Sequence, residues 1–433
     1  MNADIEIFYQ NEWRLAATFT LLGENAWERG YGAPGLLAYD TEYAVDYINQ
    51  SGITAISACY PVDFAMIKTA AWPAFLLDLL PSGAGRRALL NFLSQPDRGP
   101  KSDWQLLMQG AGNPPGNLRI KQAAELLDHY QHPGFEKSEI IERAEMFIEY
   151  ARGHGAPVSG STGVQGDAPK FLLTLDYNDH WHADGVLPDS QAFQHFIIKF
   201  PRGHLDSDRA VLRNEAAYYQ VAKAVGLRVY ALPKYVNNTL FIPRFDRKTE
   251  KKKVIRYGQE SLCSLAGVAD FGLAIPMEIL CNAFMPHVTH PQRELKEFLL
   301  RDVMNVALGN TDNHARNTAI SKYPDGSVAL SPIYDFAPMI LDEQGIARVS
   351  RWSEGELAGF PEWGEIAEIV AKRFSSYQID ATDLRLLFSN FAKITEQLPD
   401  IMHRANVDDT LIKRLDSRIK EVTKSLKKAK PNG

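Results

Sequence analysis

Two short segments of this chain carry residue types suited to phosphoryl-transfer chemistry. In Gly309-Asn310-Thr311-Asp312-Asn313-His314-Ala315-Arg316-Asn317 an aspartate is followed five residues on by an asparagine. A carboxylate so placed accepts or orients the proton of an attacking hydroxyl. An amide carbonyl can hold Mg²⁺ without adding negative charge beside the phosphates. Eighteen residues after Asn317, Ile333-Tyr334-Asp335-Phe336-Ala337 sets one acid at the end of a short apolar run, where a second metal ligand would stand. Alanine occupies the position that is glycine in the usual Asp-Phe-Gly form. Taken singly, the first segment also reads as a capped helix end with polar loop residues, and the second as a turn aspartate.

Such a pair needs upstream parts that grip a nucleotide, and these follow in a fixed order. Phe196-Ile197-Ile198-Lys199 has the form of an apolar strand ending in lysine. An ammonium on such a strand is costly unless it reaches a phosphate, a carboxylate or the strand edge. Sixteen residues later, Glu215 shares a helix face with Val211, Tyr218 and Ala222 and so points inward, the natural brace for Lys199. Earlier, Gly160-Ser161-Thr162-Gly163-Val164-Gln165-Gly166 offers backbone N–H groups to phosphate oxygens, with Gly163 and Gly166 among the gripping positions. A flexible linker is its plainer reading. Lys170 follows as a point charge. Ser159, Ser161 and Thr162 are hydroxyls in the same loop. Between the two halves, Leu240-Phe241-Ile242-Pro243-Arg244-Phe245-Asp246-Arg247 reads as a strand that loses regularity and is expected to serve as a hinge for adenine, with Asp246 taking a ribose hydroxyl; an ordinary charged strand end is the alternative. Six parts in this order imply a phosphotransferase using ATP and Mg²⁺.

Those residues need elements to position them. Alternation at Ile5, Ile7, Tyr9 and again from Leu15 to Leu21 implies strands near the start. Helical patterns are expected from about residue 64, with a turn at Leu80–Arg86. Strands are expected over Phe171–Leu175, Phe193–Phe200 and Thr239–Phe245. A helix is expected from Ser207 to Val225, capped by Asp206 or Ser207 and closed by Gly226. Three further amphipathic helices follow: one opened by Pro291, one marked by Leu384, Phe388 and Phe391, one by Leu411, Leu415 and Ile419. The expected organisation is α+β: residues 1–150 as a β-rich N-terminal subdomain, 151–248 as an N-lobe, and 249–433 as an all-helical C-lobe. The 433 residues are 45% hydrophobic, which is ample for large cores, and the net charge of −6 gives no case for a nucleic-acid binder. Three scattered cysteines without a CxxC pair argue against a disulfide scaffold or zinc module. Neither a signal peptide nor an apolar run long enough to span a membrane is evident, so a cytoplasmic location is expected.

The same residues resemble the HipA family of bacterial kinases, the toxin half of HipA–HipB toxin–antitoxin systems. The resemblance rests on Leu80-Pro81 to Gly85-Arg86-Arg87, Ala168-Pro169-Lys170, Ile197 to Pro201, Asn214-Glu215, Phe245-Asp246-Arg247, Asn310 to Asn317 and Pro332 to Asp335. It implies a two-lobed protein-kinase-like fold with an added N-terminal subdomain. Asp312 would be the catalytic base, Asn317 and Asp335 the Mg²⁺ ligands, Pro243-Arg244-Phe245 the hinge, and Lys199 and His314 nucleotide-site residues. Members of the family phosphorylate serine or threonine on protein, a translation component among the targets. They also autophosphorylate a serine in the glycine loop, and they bind a helix-turn-helix HipB-like antitoxin through which they meet DNA. In this chain the equivalent of that serine falls on Gly163, which leaves Ser161, then Thr162 and Ser159, as candidates. Two competing readings share the core residues: a small-molecule phosphotransferase of the aminoglycoside or choline kind, and an inactive co-repressor scaffold. The basic C-terminal helix, Lys413 to Lys430, reads as a solvated face in preference to a phosphate-binding one.

Overall fold

The computed structural model describes residues 1–127, 134–143, 170–343, 345 and 347–431. The glycine-rich stretch with Ser159, Ser161, Thr162, Gly163 and Gly166, and the expected boundary near residue 150, lie outside the described residues. The chain is α+β.

The first sheet comprises β1 (Asn2–Tyr9), β2 (Glu12–Leu21), β3 (Gly35–Tyr39), β4 (Ile67–Thr69) and β5 (Leu118–Ile120), in spatial order β4-β3-β2-β1-β5. Alternating Ala3, Ile5, Ile7 and Phe19 are fully buried beneath it, against Trp72, Leu76 and Leu107. The helical pattern expected from residue 64 starts later. Residues Ile67–Thr69 pair with β3, and the first helix of that stretch is Leu76–Leu79. Sheet-edge pairing outweighed local periodicity there. Of the expected turn at Leu80–Arg86, only Leu80, Pro81 and Ser82 lie between two helices; Gly83 to Arg86 open the Gly83–Phe92 helix, with Arg86 held by Asp97 and Asp103.

The second sheet is built from β6 (Lys170–Asp176), β7 (Trp181–Ala183), β8 (Ala192–Lys199), β9 (Lys234–Val236) and β10 (Thr239–Pro243), in order β7-β6-β8-β10-β9. One face packs Phe171, Leu173, Ile198 and Phe241 into a small core that also takes Phe135 and Ile140. Those two residues were expected with the N-terminal subdomain, yet Phe135 bridges to Trp181. The other face carries Lys199 and Ile197. It packs Leu240 and Ile242 on Leu212 and Ala216 of the Asp206–Ala224 helix. That helix starts after Leu205, whose N–H donates to Asp208 in place of a cap by Asp206 or Ser207. Gly226 closes it at φ 91, a conformation that glycine adopts without a Cβ clash.

The remaining chain forms the largest core, in which Leu295, Leu299 and Val303 of the Pro291–Ala307 helix meet Leu384, Phe388, Leu415 and Ile419. The expected all-helical C-lobe is corrected in one respect. Besides its helices it holds β13 (Gly258–Ser261), β14 (Ala319–Lys322) and β15 (Val328–Leu330) as a three-stranded sheet, preceded by the β11–β12 hairpin (Arg247–Glu250, Lys253–Arg256). These strands are four residues or fewer, too short to display a period of two. Among the described residues no helix is long and apolar enough to cross a membrane.

Candidate active site

Pairing across the second sheet puts Lys170 of β6 directly opposite Lys199 of β8. Like charges so placed repel. The structure resolves the conflict with one carboxylate: Asp335 accepts from Lys170 Nζ at 3.2 and 3.3 Å and also pairs with Lys199 Nζ. Lys199 Nζ donates in addition to Glu215 Oε1 at 2.5 Å. Burial works against the Lys199 charge, but Asp335 and Glu215 outweigh it and hold its pKa above the ordinary lysine value. Burial likewise opposes the Asp335 charge, and the two ammoniums overcome it and hold that carboxyl well below the usual range. Lys170 moves the other way, lowered by burial and then by Lys199. Asp335 itself sits at φ 49, the left-handed region, at a cost of about 1 kcal/mol that its ion pairs offset. Phe336 anchors the segment, its ring 5.6 Å from that of Tyr218.

Asp312 and Asn317 come to the same place from the loop after the Pro291–Ala307 helix. Gly309, at φ 65, turns the chain out of that helix, and a Cβ there would press on Ile340. Asn317 Nδ2 donates to the Asp312 carbonyl at 2.8 Å, so the asparagine fixes the loop carrying the aspartate. Its Oδ1 is buried and has no hydrogen-bond partner. His314 accepts the Arg316 N–H at Nδ1 (3.2 Å), with Nε2 3.7 Å from Asp312. Burial, opposed by Asp312, holds it below the ordinary histidine value. Lys170, Lys199, Glu215, Asp312, Asn317 and Asp335 all line one cleft of about 700 Å³.

A second cleft, of about 1160 Å³, meets the first at Lys170, Lys199 and Asp335. It is walled by Ile197, Ile242, Ile333 and Tyr334, with Pro243, Arg244 and Phe245 along one side. Pro243, Arg244 and Phe245, the expected hinge, line this cleft, but Arg244 and Asp246 are committed elsewhere. The Arg244 N–H donates to the His195 carbonyl at 2.9 Å, and the Arg244 guanidinium pairs with Asp184 and Asp246. Asp246, expected to take a ribose hydroxyl, instead binds Arg244 and the Gly116 N–H (2.8 Å); despite burial, Arg244 lowers its pKa to about 2.

Sequence reasoning missed the clamps behind these walls. Asp184 gathers Arg244, Arg247 (2.8 Å), Thr174 (2.6 Å) and His195 (2.9 Å) beneath the sheet. Asp78, from the N-terminal helix Leu76–Leu79, accepts from Arg316 Nη1 at 2.6 Å and from Ser261 Oγ and N–H at 2.7 and 2.9 Å. The N-terminal unit thus holds the Asp312–Asn317 loop directly. Partners 238 positions apart leave no local pattern to read.

With this geometry described, comparison with known proteins is informative. The model of the HipA-like C-terminal domain matches residues 162–400, more than half of the chain. The chain belongs to the HipA family. Among solved structures, it is similar to HipA of Shewanella oneidensis MR-1, determined as a toxin–antitoxin complex with HipB and operator DNA. The TM-score is 0.64 at 17% identity, covering 98% of this chain and 97% of that one. The HipA fold therefore extends over nearly the whole length. The Helicobacter pylori proinflammatory kinase CtkA aligns with 62% of this chain and 93% of its own at 14% identity and a TM-score of 0.37, too slight to support a fold assignment.

Proposed function

We propose that this HipA-family chain is an ATP- and Mg²⁺-dependent kinase that transfers the γ-phosphoryl group to serine or threonine hydroxyls of a protein target and of its own glycine-rich loop. The observation that carries this reading is the single cleft shared by Lys199, Asp312, Asn317 and Asp335. Asp312 orients the acceptor hydroxyl and takes its proton. Lys199, braced by Glu215, and Lys170 exchange the Asp335 carboxylate for phosphate oxygens as nucleotide enters. The adjoining apolar cleft along Pro243, Arg244 and Phe245 receives the base.

The residues fit a magnesium ion. Asn317 Oδ1 is a buried acceptor without a partner, and Asp335 supplies a carboxylate in the same cleft. Among the described residues no three His, Cys, Asp or Glu side chains gather as a metal cage. That suits an ion which keeps several waters and phosphate oxygens as ligands. When bound it would neutralise charge on the phosphates. The chain's own contribution is position and electrostatics, supplied before the reaction begins.

The working division on this reading is 1–150 as accessory subdomain, 151–248 as N-lobe and 249–433 as C-lobe. A HipB-like helix-turn-helix protein would be the partner and the route to DNA, and the cytoplasm the site of action. The test is incubation of the protein with Mg²⁺ and labelled ATP, alone and with cell lysate, followed by phosphosite mapping. Phosphate on Ser161, Thr162 or Ser159 and on a lysate protein is expected. Label found only on small molecules would overturn the assignment to protein substrates.

A further inference from the structure

Beside the catalytic cleft lies another, of about 1280 Å³, that the reaction as described leaves unused. The two share Met339 and Asp342, and the new one is also lined by Asn310 and Thr311, which immediately precede Asp312. Four arginines face it: Arg348 and Arg351 from the segment after Asp335, Arg414 and Arg418 from the Asp409–Lys428 helix. Arg348 is 8% exposed. Its Nη2 donates to Asp302 at 2.8 and 2.9 Å and its Nε to Glu356 at 3.0 Å, whereas its Nη1 is buried without a partner. The Thr311 hydroxyl is also buried and unpartnered. Arg418 is half-buried, with Nη1 on the Val306 carbonyl at 3.2 Å and its guanidinium 4.9 Å from the Phe360 ring. Arg351 and Arg414 are exposed.

Two carboxylates share this lining, and both are engaged elsewhere. Asp342 accepts from Arg202 at 2.7 Å, and Glu343 accepts from Ser207 at 2.9 Å. Asp302 and Glu356 balance Arg348, whereas among the described residues no carboxylate pairs with Arg351, Arg414 or Arg418, so an anion entering the cleft meets net positive charge. A buried N–H left without an acceptor costs further free energy. Planar guanidinium donors match the oxygens of a carboxylate or a phosphoryl group. The two clefts adjoin at Met339 and Asp342. An extended polypeptide whose hydroxyl lies at Asp312 advances about 3.3 Å per residue, so it crosses Met339 and Asp342 into the arginine cleft within a few residues.

We propose that this cleft is a specificity site for the protein substrate, taking a glutamate, aspartate or phosphorylated side chain a few residues from the acceptor hydroxyl. The proposal rests on the kinase reading above and names the substrate class of that same site.

The test uses Arg351→Gln and Arg414→Gln, singly and together, because both side chains are exposed; Arg351 Nε also donates to the Arg348 carbonyl at 3.0 Å, so urea unfolding first establishes that each variant is folded. Serine-acceptor peptides carrying phosphoserine, glutamate, alanine or lysine at each flanking position are assayed for transfer of labelled phosphate. Binding of an unreactive phosphoserine peptide, its acceptor replaced by alanine, is followed by fluorescence anisotropy. Wild type is expected to favour the acidic peptides by about tenfold in kcat/KM through KM. The double variant loses that preference, while its turnover of the alanine peptide stays unchanged. An active kinase without acidic preference, or with a preference that survives R351Q/R414Q, overturns the proposal. If wild type phosphorylates no peptide, the kinase reading fails and the binding arm alone decides: weaker phosphopeptide binding by the double variant supports the site, and equal or absent binding overturns it. Tighter binding of an oligonucleotide than of the phosphopeptide, lost in the same variants, also overturns it in favour of a nucleic-acid ligand.

Discussion

The contact between Asp78 and Arg316 gives the most quantitative prediction. Arg316 is 3% exposed at its side chain and lies inside the Asp312–Asn317 loop. Its Nη1 meets Asp78 at 2.6 Å, its guanidinium lies 4.7 Å from the Phe271 ring, and its carbonyl accepts the Tyr334 hydroxyl at 2.7 Å. Burial lifts the Asp78 pKa above the ordinary carboxylate value in spite of Arg316, so desolvation offsets much of the Coulomb attraction. What remains is geometry. Asp78→Ala strands a buried guanidinium, at about 3 kcal/mol, and frees Ser261 Oγ and N–H, at about 1 kcal/mol each if they stay dry. A total near 5 kcal/mol is expected for D78A. Arg316→Ala should cost about 3 kcal/mol through lost packing and the unpaired Asp78. Because each variant removes the same contact, the double variant should cost about 2 kcal/mol less than the sum of the two. Urea unfolding of the four proteins measures this cycle. Single-variant effects that add within about 0.5 kcal/mol would refute the reasoning. In variants that remain folded, the displaced loop should lower turnover by about a hundredfold, with the KM for ATP little changed.

Other expectations follow from the same geometry. Glu215→Gln removes the charge bracing Lys199 and should raise the KM for ATP about tenfold in steady-state kinetics; an unchanged KM would show that Asp335 alone positions the lysine. Asn317→Ala removes the unpartnered Oδ1 and should raise the Mg²⁺ concentration for half-maximal turnover at least about tenfold; an unaltered Mg²⁺ dependence would place the metal elsewhere. Burial, opposed by Asp184, holds His195 below the ordinary histidine pKa. The unfolded chain then binds a proton that the folded chain refuses. His195 therefore withdraws stability as pH falls below about 6.5, by up to about 1.4 kcal/mol per pH unit. Wild type should lose urea-unfolding free energy faster than His195→Gln between about pH 7 and about pH 5.5; parallel losses would contradict the neutral, buried imidazole.

The parts legible in the sequence are those that ride on periodic elements. An apolar run ending in Lys199 and a helix face carrying Glu215 inward each declare a direction, and the two directions converge. The Asp312–Asn317 spacing likewise brings its asparagine back onto the aspartate's own carbonyl. The Lys170–Lys199 pairing was not legible, because register between β6 and β8 is set by packing on both sheet faces. Asp246 shows the converse error. Its place just after the Thr239–Pro243 strand follows from the sequence, but its engagement depends on Gly116 of a distant segment. The clamps at Asp78 and Asp184 unite three or more stretches of chain, and the short β13–β15 strands show no alternation, so neither left a local signature.

The most direct test of the central claim compares wild type with Asp312→Asn for transfer of the γ-phosphoryl group to protein, with Mg·ATP affinity measured on the same preparations. The account predicts loss of transfer by at least about a thousandfold with nucleotide affinity within about threefold of wild type. Undiminished transfer by D312N would contradict it.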